Sequence, residues 1–197
     1  DTYSSHDVDE QPSTPNFSVV IPVYNEETIL TEAIEELVGV LDTWDRSYEI
    51  IIAENGSKDR TIELAQALSS RFKTISTFSA SEANYGRALK EGLIKARGTY
   101  VICDEIDLCD TAFYQAAFTH FDQHPNLDFI VGSKRAPGAK DRRPLFRRFA
   151  TGVLNGMLRV AVGFKGTDTH GLKALKRSTV VPIIEQCVVD KDMFASE

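Results

Sequence analysis

Short apolar runs alternate along the chain with stretches whose apolar positions recur every three or four residues. Phe17-Ser18-Val19-Val20-Ile21-Pro22-Val23 reads as a buried strand, and Tyr24-Asn25-Glu26-Glu27 as the turn after it, with Asn25 placed to cap the next helix. Ile29, Leu30, Ala33, Ile34, Leu37, Val38 and Leu41 then fall at helical spacing and give one apolar face. A second strand is predicted over 48–53, running into Glu54-Asn55-Gly56-Ser57. Asn-Gly supplies a sharp turn there, and Ser57 can cap a helix reaching about Arg71. A third strand is expected over 74–79. Asn84-Tyr85-Gly86-Arg87 opens a helix carrying Ala88, Leu89, Leu93, Ile94 and Ala96, with Gly98 as its C-cap. A strand from Tyr100, a helix over 111–121 and a strand over 129–132 follow. Alternation of this kind predicts an α/β domain, a mostly parallel sheet with helices on both faces.

After Gly132 the pattern changes. Residues 133–144 are basic around Pro137-Gly138 and predict a mobile loop; 146–162 reads as helical. The polar turn Gly166-Thr167-Asp168-Thr169-His170-Gly171 precedes Leu172-Lys173-Ala174-Leu175, and a last helix is expected over 179–186. Residues 1–16 are almost free of apolar side chains and predict a disordered leader, so 17–197 is expected to form one domain without internal repeats. The chain opens on Asp1 rather than Met, as a processed or trimmed chain would. No apolar run reaches the roughly 18 residues of a membrane span. Cys103, Cys109 and Cys187 are odd in number and lack metal-site spacing, which points to buried thiols in a reducing compartment.

Charge sharpens the picture. Residues 134–177 hold 12 Lys and Arg against 2 Asp, a local +10 in a chain of net charge −7, leaving −17 elsewhere. Such asymmetry suits a surface that meets anions, although a merely solvated basic face has the same signature. The acids are sharpest where Tyr100-Val101-Ile102-Cys103 runs into Asp104-Glu105-Ile106-Asp107. An unpaired carboxylate at the end of a buried strand is costly. The carboxyl ends of strands are also where open α/β sheets bind ligands. A hard divalent cation bridging such carboxylates to a diphosphate is one reason to place them there; a solvated acidic turn is the plainer one.

Taken together, the motifs resemble the inverting family 2 glycosyltransferases, which have the GT-A (Rossmann-like) fold. Val19-Val20-Ile21-Pro22-Val23-Tyr24-Asn25-Glu26 is similar to their first-strand signature. Glu54-Asn55-Gly56-Ser57-Lys58-Asp59-Arg60-Thr61 resembles their second motif, usually Asp-Asp-Gly-Ser-x-Asp-x-Thr. Asn84-Tyr85-Gly86-Arg87 looks like the family's Asn-x-Gly helix start, and Glu105-Ile106-Asp107 falls at its Asp-x-Asp metal motif. Asp128 to Lys134 is similar to Asp-x-Val-x-Gly-Ser-Arg. Asp168-Thr169-His170-Gly171-Leu172-Lys173 and Phe194-Ala195-Ser196-Glu197 resemble segments of the dolichyl- and polyprenyl-phosphate sugar transferases.

The resemblance implies roles residue by residue. Pro22, Tyr24 and Glu26 would contact the base and ribose of a nucleotide-diphospho-sugar donor, with Glu54, Asn55, Gly86, Arg87 and Asp104 in the same site. Glu54 and Asn55 stand where the family usually has Asp, and Glu54 could equally cap the turn; an amide at 55 can still accept from a base N–H. Glu105 and Asp107 would hold Mg2+ or Mn2+. Lys134 and Arg147 would bind phosphates, with Arg148, Thr151 and Lys173 nearby; Arg142 and Arg143 are lid residues or solvated charge. Asp168 would deprotonate a hydroxyl acceptor or, with a phosphate acceptor, orient Lys173; His170 alone is more often structural.

The implied reaction is metal-dependent transfer of the sugar, with inversion, to a polyprenyl or dolichyl phosphate at the cytoplasmic face of a membrane. A soluble transferase acting on a hydroxyl and a non-catalytic nucleotide-binding domain remain alternatives. Nucleic acid is disfavoured, because the acidic strand ends would repel a phosphate backbone without a metal. Lipid-phosphate members of the family often continue into amphipathic or membrane-spanning helices, so the catalytic domain ending at Glu197 is expected to be truncated there.

Overall fold

Strand β1 (Phe17–Val23) lies between two parallel neighbours, β2 (Tyr48–Glu54) and β4 (Tyr100–Cys103), and the rest of the sheet is built outward from it. The computed structural model describes residues 14–80, 83–132 and 172–187. Among these, β3 (Ile75–Ser79), β5 (Phe129–Val131) and β6 (Lys173–Lys176) complete a sheet of order β3-β2-β1-β4-β6-β5. Strand β3 pairs parallel to β2, whereas β6 runs antiparallel between β4 and β5. The sheet is therefore mixed and mostly parallel.

The helices are α1 (Leu30–Leu41), α2 (Thr61–Arg71), α3 (Tyr85–Lys95), α4 (Thr111–Gln123) and α5 (Arg177–Gln186). Side chains alternate between the two faces of each strand with period two. Val19, Ile21, Ile50, Ile52 and Ile102 pack with α1, α2 and α4, while Val20, Ile51, Ala53, Val101 and Cys103 pack with α3 and α5. Burial on both faces explains why β1 and β2 read as unbroken apolar runs. Phe17, Trp44, Tyr48, Tyr100, Phe118 and Phe121 form a ring cluster under the amino ends of the strands.

Several local expectations are corrected. Asn25 does not cap α1: its side chain accepts from the Lys58 N–H (2.8 Å), and the capping position is held by Ile29 without a side-chain bond. Ser57 does not cap α2; its hydroxyl accepts from the Asn25 N–H (2.9 Å), and Arg60 precedes the helix. Gly98 is not the C-cap of α3, a position held by Ala96. Glycine is required at 98 because a Cβ there would sit 2.4 Å from Phe17 C and Ser18 N. Asn84 does cap α3, accepting from the Arg87 N–H at 3.1 Å.

Strand β6 was not expected, and α5 begins at Arg177 rather than 179. The expected leader is too long: Asn16 exchanges bonds with Ser47, and Pro15 and Asn16 accept from Thr99 and Tyr100. Residues 1–13, the loop over 133–144, the helix over 146–162 and the turn over 166–171 lie outside the described residues.

Candidate active site

A cleft opens because neighbouring strands end at different heights. Pairing of β1 with β4 stops at Val20 opposite Cys103, while β1 continues beside β2 as far as Val23 opposite Glu54. The Val20 carbonyl accepts from Asp104 and the Val23 carbonyl from Asn55, so alternation turns the backbone of residue 22 towards β4, beyond the point where that strand has ended. Proline lacks an N–H, and this is the one side of a central strand where none is needed. Pro22 therefore sits in a central strand without breaking its ladder. The resulting cleft, about 400 Å³, lies at the carboxyl ends of β1, β2 and β4. It is lined by Pro22, Val23, Tyr24 and Glu26 from β1 and its turn, Asn55 from β2, Tyr85 from α3, and Asp104, Glu105, Ile106 and Asp107 after β4.

Asp104 organises the acidic turn. Its buried carboxylate accepts from the Glu105 N–H (2.6 Å), the Asp110 N–H (3.1 Å) and the Tyr114 hydroxyl. Burial pushes this carboxyl up to about 6, against the pull of those three donors. The Glu105 carbonyl accepts from Leu108 and Cys109, Cys109 takes a left-handed φ of 41°, and Asp110 then caps α4. Ile106 anchors the turn in the core, leaving half-buried Glu105 and exposed Asp107 on either side of it. Across the cleft the Glu26 carboxyl is raised by burial, then by the charges of Asp107 and Asp59.

This donor set fits a hard cation. Glu105 and Asp107 share the cleft with a Glu26 carboxyl that burial, then the charges of Asp107 and Asp59, hold above its usual range, and oxygen ligands suit Mg2+ or Mn2+. Among the described residues no group of three or more His, Cys, Asp or Glu could hold a metal by itself. Glu105 and Asp107 would therefore bind an ion completed by substrate phosphate and water, a common arrangement for Mg2+.

The remaining expected site residues divide. Asn55 lines the cleft, and its Oδ1 accepts from the Asn84 N–H (2.5 Å), which fixes the orientation of the amide. Glu54 does not line it: its oxygens accept from the Ser57 N–H (2.5 Å) and the Ser79 hydroxyl, which makes it a brace for the β2–α2 turn. Gly86 is buried and Arg87 exposed, and neither lines the cleft. Sequence reasoning passed over Tyr85, the middle residue of Asn-x-Gly. Burial, then Cys103 and Glu105, hold its hydroxyl well above the usual phenol value, so it remains a donor. Lys173 sits opposite Cys103 in register, beside the start of the acidic turn. Burial pushes the Cys103 thiol up to about 12, and the Lys173 charge pulls the other way. Lys134, Arg142, Arg143, Arg147, Arg148, Thr151, Asp168, His170 and the segment 194–197 lie outside the described residues.

A family model described as Glycosyl transferase family 2 matches residues 18–192. The undecaprenyl-phosphate 4-deoxy-4-formamido-L-arabinose transferase of Pseudomonas aeruginosa (strain LESB58) is 38% identical over 172 residues, 83% of this chain and 48% of that protein. Among solved structures, glucosyl-3-phosphoglycerate synthase from Mycobacterium tuberculosis in complex with UDP has a TM-score of 0.58 at 20% identity, covering 83% of this chain and 57% of that one. The mannosyltransferase PcManGT from Pyrobaculum calidifontis, in complex with GDP-Man and Mn2+, has a TM-score of 0.53 at 19% identity, over 87% of this chain and 47% of that one. These neighbours are GT-A glycosyltransferases, and this chain has their fold. The chain spans about half the length of the curated relatives it matches.

Proposed function

The chain belongs to glycosyl transferase family 2, and on that premise we propose that its cleft binds a nucleotide-diphospho-sugar and passes the sugar, with inversion, to a polyprenyl phosphate. The observation that carries this reading is the meeting, in one cleft, of Pro22, Tyr24, Glu26 and Asn55 with the acid pair Glu105 and Asp107. A base and ribose fit against the first group, and a diphosphate extends towards the second. Glu105 and Asp107 would hold Mg2+ or Mn2+, which would supply Lewis-acid stabilisation of the diphosphate leaving group.

Displacement is in line. An oxygen of the acceptor phosphate bonds to the anomeric carbon as the bond to the donor diphosphate breaks, and the nucleoside diphosphate departs with the electron pair. Lys173, beside β4, draws the acceptor phosphate to the acidic turn, with Arg147 and Lys134 assisting. A phosphate acceptor needs no general base, since its second pKa of roughly 6 leaves it largely ionised at neutral pH. Asp168 then orients cations rather than removing a proton. The acceptor class is supported by the Pseudomonas aeruginosa relative, an undecaprenyl-phosphate sugar transferase. Among the described residues no helix is long and apolar enough to cross a membrane, so the proposed site of action, the cytoplasmic face of a membrane, rests on the acceptor alone.

The test offers the full-length protein labelled nucleotide-sugars with either a short-chain polyprenyl phosphate or a panel of sugar alcohols. Label should enter the lipid phosphate, and Asp168→Asn should leave the acidic limb of the pH–rate profile unchanged. Transfer confined to hydroxyl acceptors and abolished by Asp168→Asn would reject the reading.

A further inference from the structure

The turn after β1 is held from outside itself. Three consecutive backbone N–H groups are donated to side chains of the β2–α2 turn: Asn25 to Ser57 Oγ (2.9 Å), Glu26 to Thr61 Oγ1 (2.8 Å) and Glu27 to Asp59 Oδ2 (3.2 Å). Two bonds return, from Lys58 N–H to Asn25 Oδ1 (2.8 Å) and from Arg60 N–H to Glu27 Oε2 (3.0 Å). Asn25 itself is in the left-handed region, at φ 55°, which asparagine adopts more readily than most residues other than glycine.

Within this clasp, Asp59 and Thr61 make a relay. The fully buried Thr61 hydroxyl donates to Asp59 Oδ1 (2.5 Å), which turns its lone pairs towards the Glu26 N–H. The other oxygen of the same carboxylate takes the Glu27 N–H. One carboxylate and one hydroxyl, neither of which lines the cleft, thereby fix the backbone from which Glu26 enters it. Glu26 also lines the cleft beside Tyr24 and Asn55, in the group against which the base and ribose are proposed to lie, so its placement bears on donor binding.

We infer that Asp59 and Thr61 are positioning residues for donor binding, acting through Glu26 rather than on the ligand. The inference rests on the donor-site reading above. Outer partners that orient the ligands of a metal site are typically worth ~10–100-fold in affinity or activity, and an effect of that order is expected for a carboxylate and hydroxyl that orient a nucleotide-binding residue. A purely structural pair would instead change stability without depending on what residue 26 carries.

The experiment is a mutant cycle on the full-length protein, read by calorimetric titration of UDP and of GDP in the presence of Mn2+, with the thermal midpoint of each variant recorded separately. Thr61→Val should weaken binding of the preferred nucleotide roughly tenfold or more, and Thr61→Ser, which keeps the hydroxyl, should restore it. In a Glu26→Ala background, Thr61→Val should weaken binding no further while lowering the thermal midpoint as before. Should Thr61→Val fail to fold, Asp59→Asn serves in its place, since its amide presents an N–H to one of the donors the carboxylate now accepts. Equal losses in both backgrounds, or failure of Thr61→Ser to rescue, would overturn the inference alone. No binding of either nucleotide by the wild-type protein would overturn the donor-site reading and this inference with it.

Discussion

Replacing Tyr114 with Phe removes one hydroxyl from the hub that holds the acidic turn. Tyr114 is fully buried on α4 and donates to Asp104, whose carboxylate otherwise keeps only the Glu105 and Asp110 N–H groups. The ring stays, so little packing is lost. Hydrogen bonds to ionised groups contribute about 1.5–3 kcal/mol, and an isosteric loss of about 2 kcal/mol is expected near pH 8. For a domain of this length that is roughly 4–8 °C in Tm.

The pH dependence carries the sign of the mechanism. The folded Asp104 titrates at about 6, above an ordinary carboxylate, so its own burial favours folding at low pH and that benefit is lost as pH rises through 6. The Tyr114 bond runs the other way, because it is strongest to the ionised form. Its contribution is full above pH 6 and shrinks as Asp104 takes up a proton below it. Urea unfolding of wild type and Tyr114→Phe at pH 8 and pH 5, with m-values compared, measures this directly. A cost equal at both pH values, or larger at pH 5, would refute the assignment of Asp104 as the charged hub of the turn.

Three further outcomes are expected. Gly98→Ala should destabilise the fold by about 2 kcal/mol or more in chemical denaturation, since its Cβ meets backbone rather than a movable side chain; a neutral effect would contradict the close approach to β1. Glu54→Ala should cost about 1–3 kcal/mol by stranding the Ser57 N–H and the Ser79 hydroxyl, and it should change nucleotide affinity far less than Asn55→Ala does. Lys173→Ala should raise KM for the lipid phosphate while leaving nucleotide affinity nearly unchanged, and the reverse pattern would move Lys173 to the donor side.

How much of this was legible in the chain depended on where each residue finds its partner. Strands β1 and β2 could be read because burial on both faces leaves nearly unbroken apolar runs. Strand β6 could not, because Lys173-Ala174-Leu175-Lys176 is four residues long without a β-branched side chain, and becomes a strand only between β4 and β5. Asn25 and Ser57 carry the composition of helix caps, yet each bonds the other's turn, about thirty residues away in sequence. That choice is tertiary, and no local pattern reports it.

The site divides along the same line. Asp104, Glu105 and Asp107 stood out at the end of a buried strand, and Pro22, Tyr24, Glu26 and Asn55 through the family resemblance; the strand ends are where the fold gathers all of them. Glu54 shares that composition, but Ser57 and Ser79 draw it away from the cleft. Tyr85 gave no chemical signal in sequence, since an aromatic at the first position of a helix is ordinarily packing. Only the notch where β1 outruns β4 places it on the wall of the cleft.

The central claim is that the acid pair makes this a cation-assisted nucleotide site. Calorimetric titration of UDP and GDP into wild type and Asp107→Asn, each with and without Mn2+, tests it most directly. The account predicts that Mn2+ strengthens binding of one nucleotide to the wild type, and that Asp107→Asn removes most of that gain with its Tm nearly unchanged. Equal affinity with and without Mn2+, or an undiminished gain in Asp107→Asn, would contradict it.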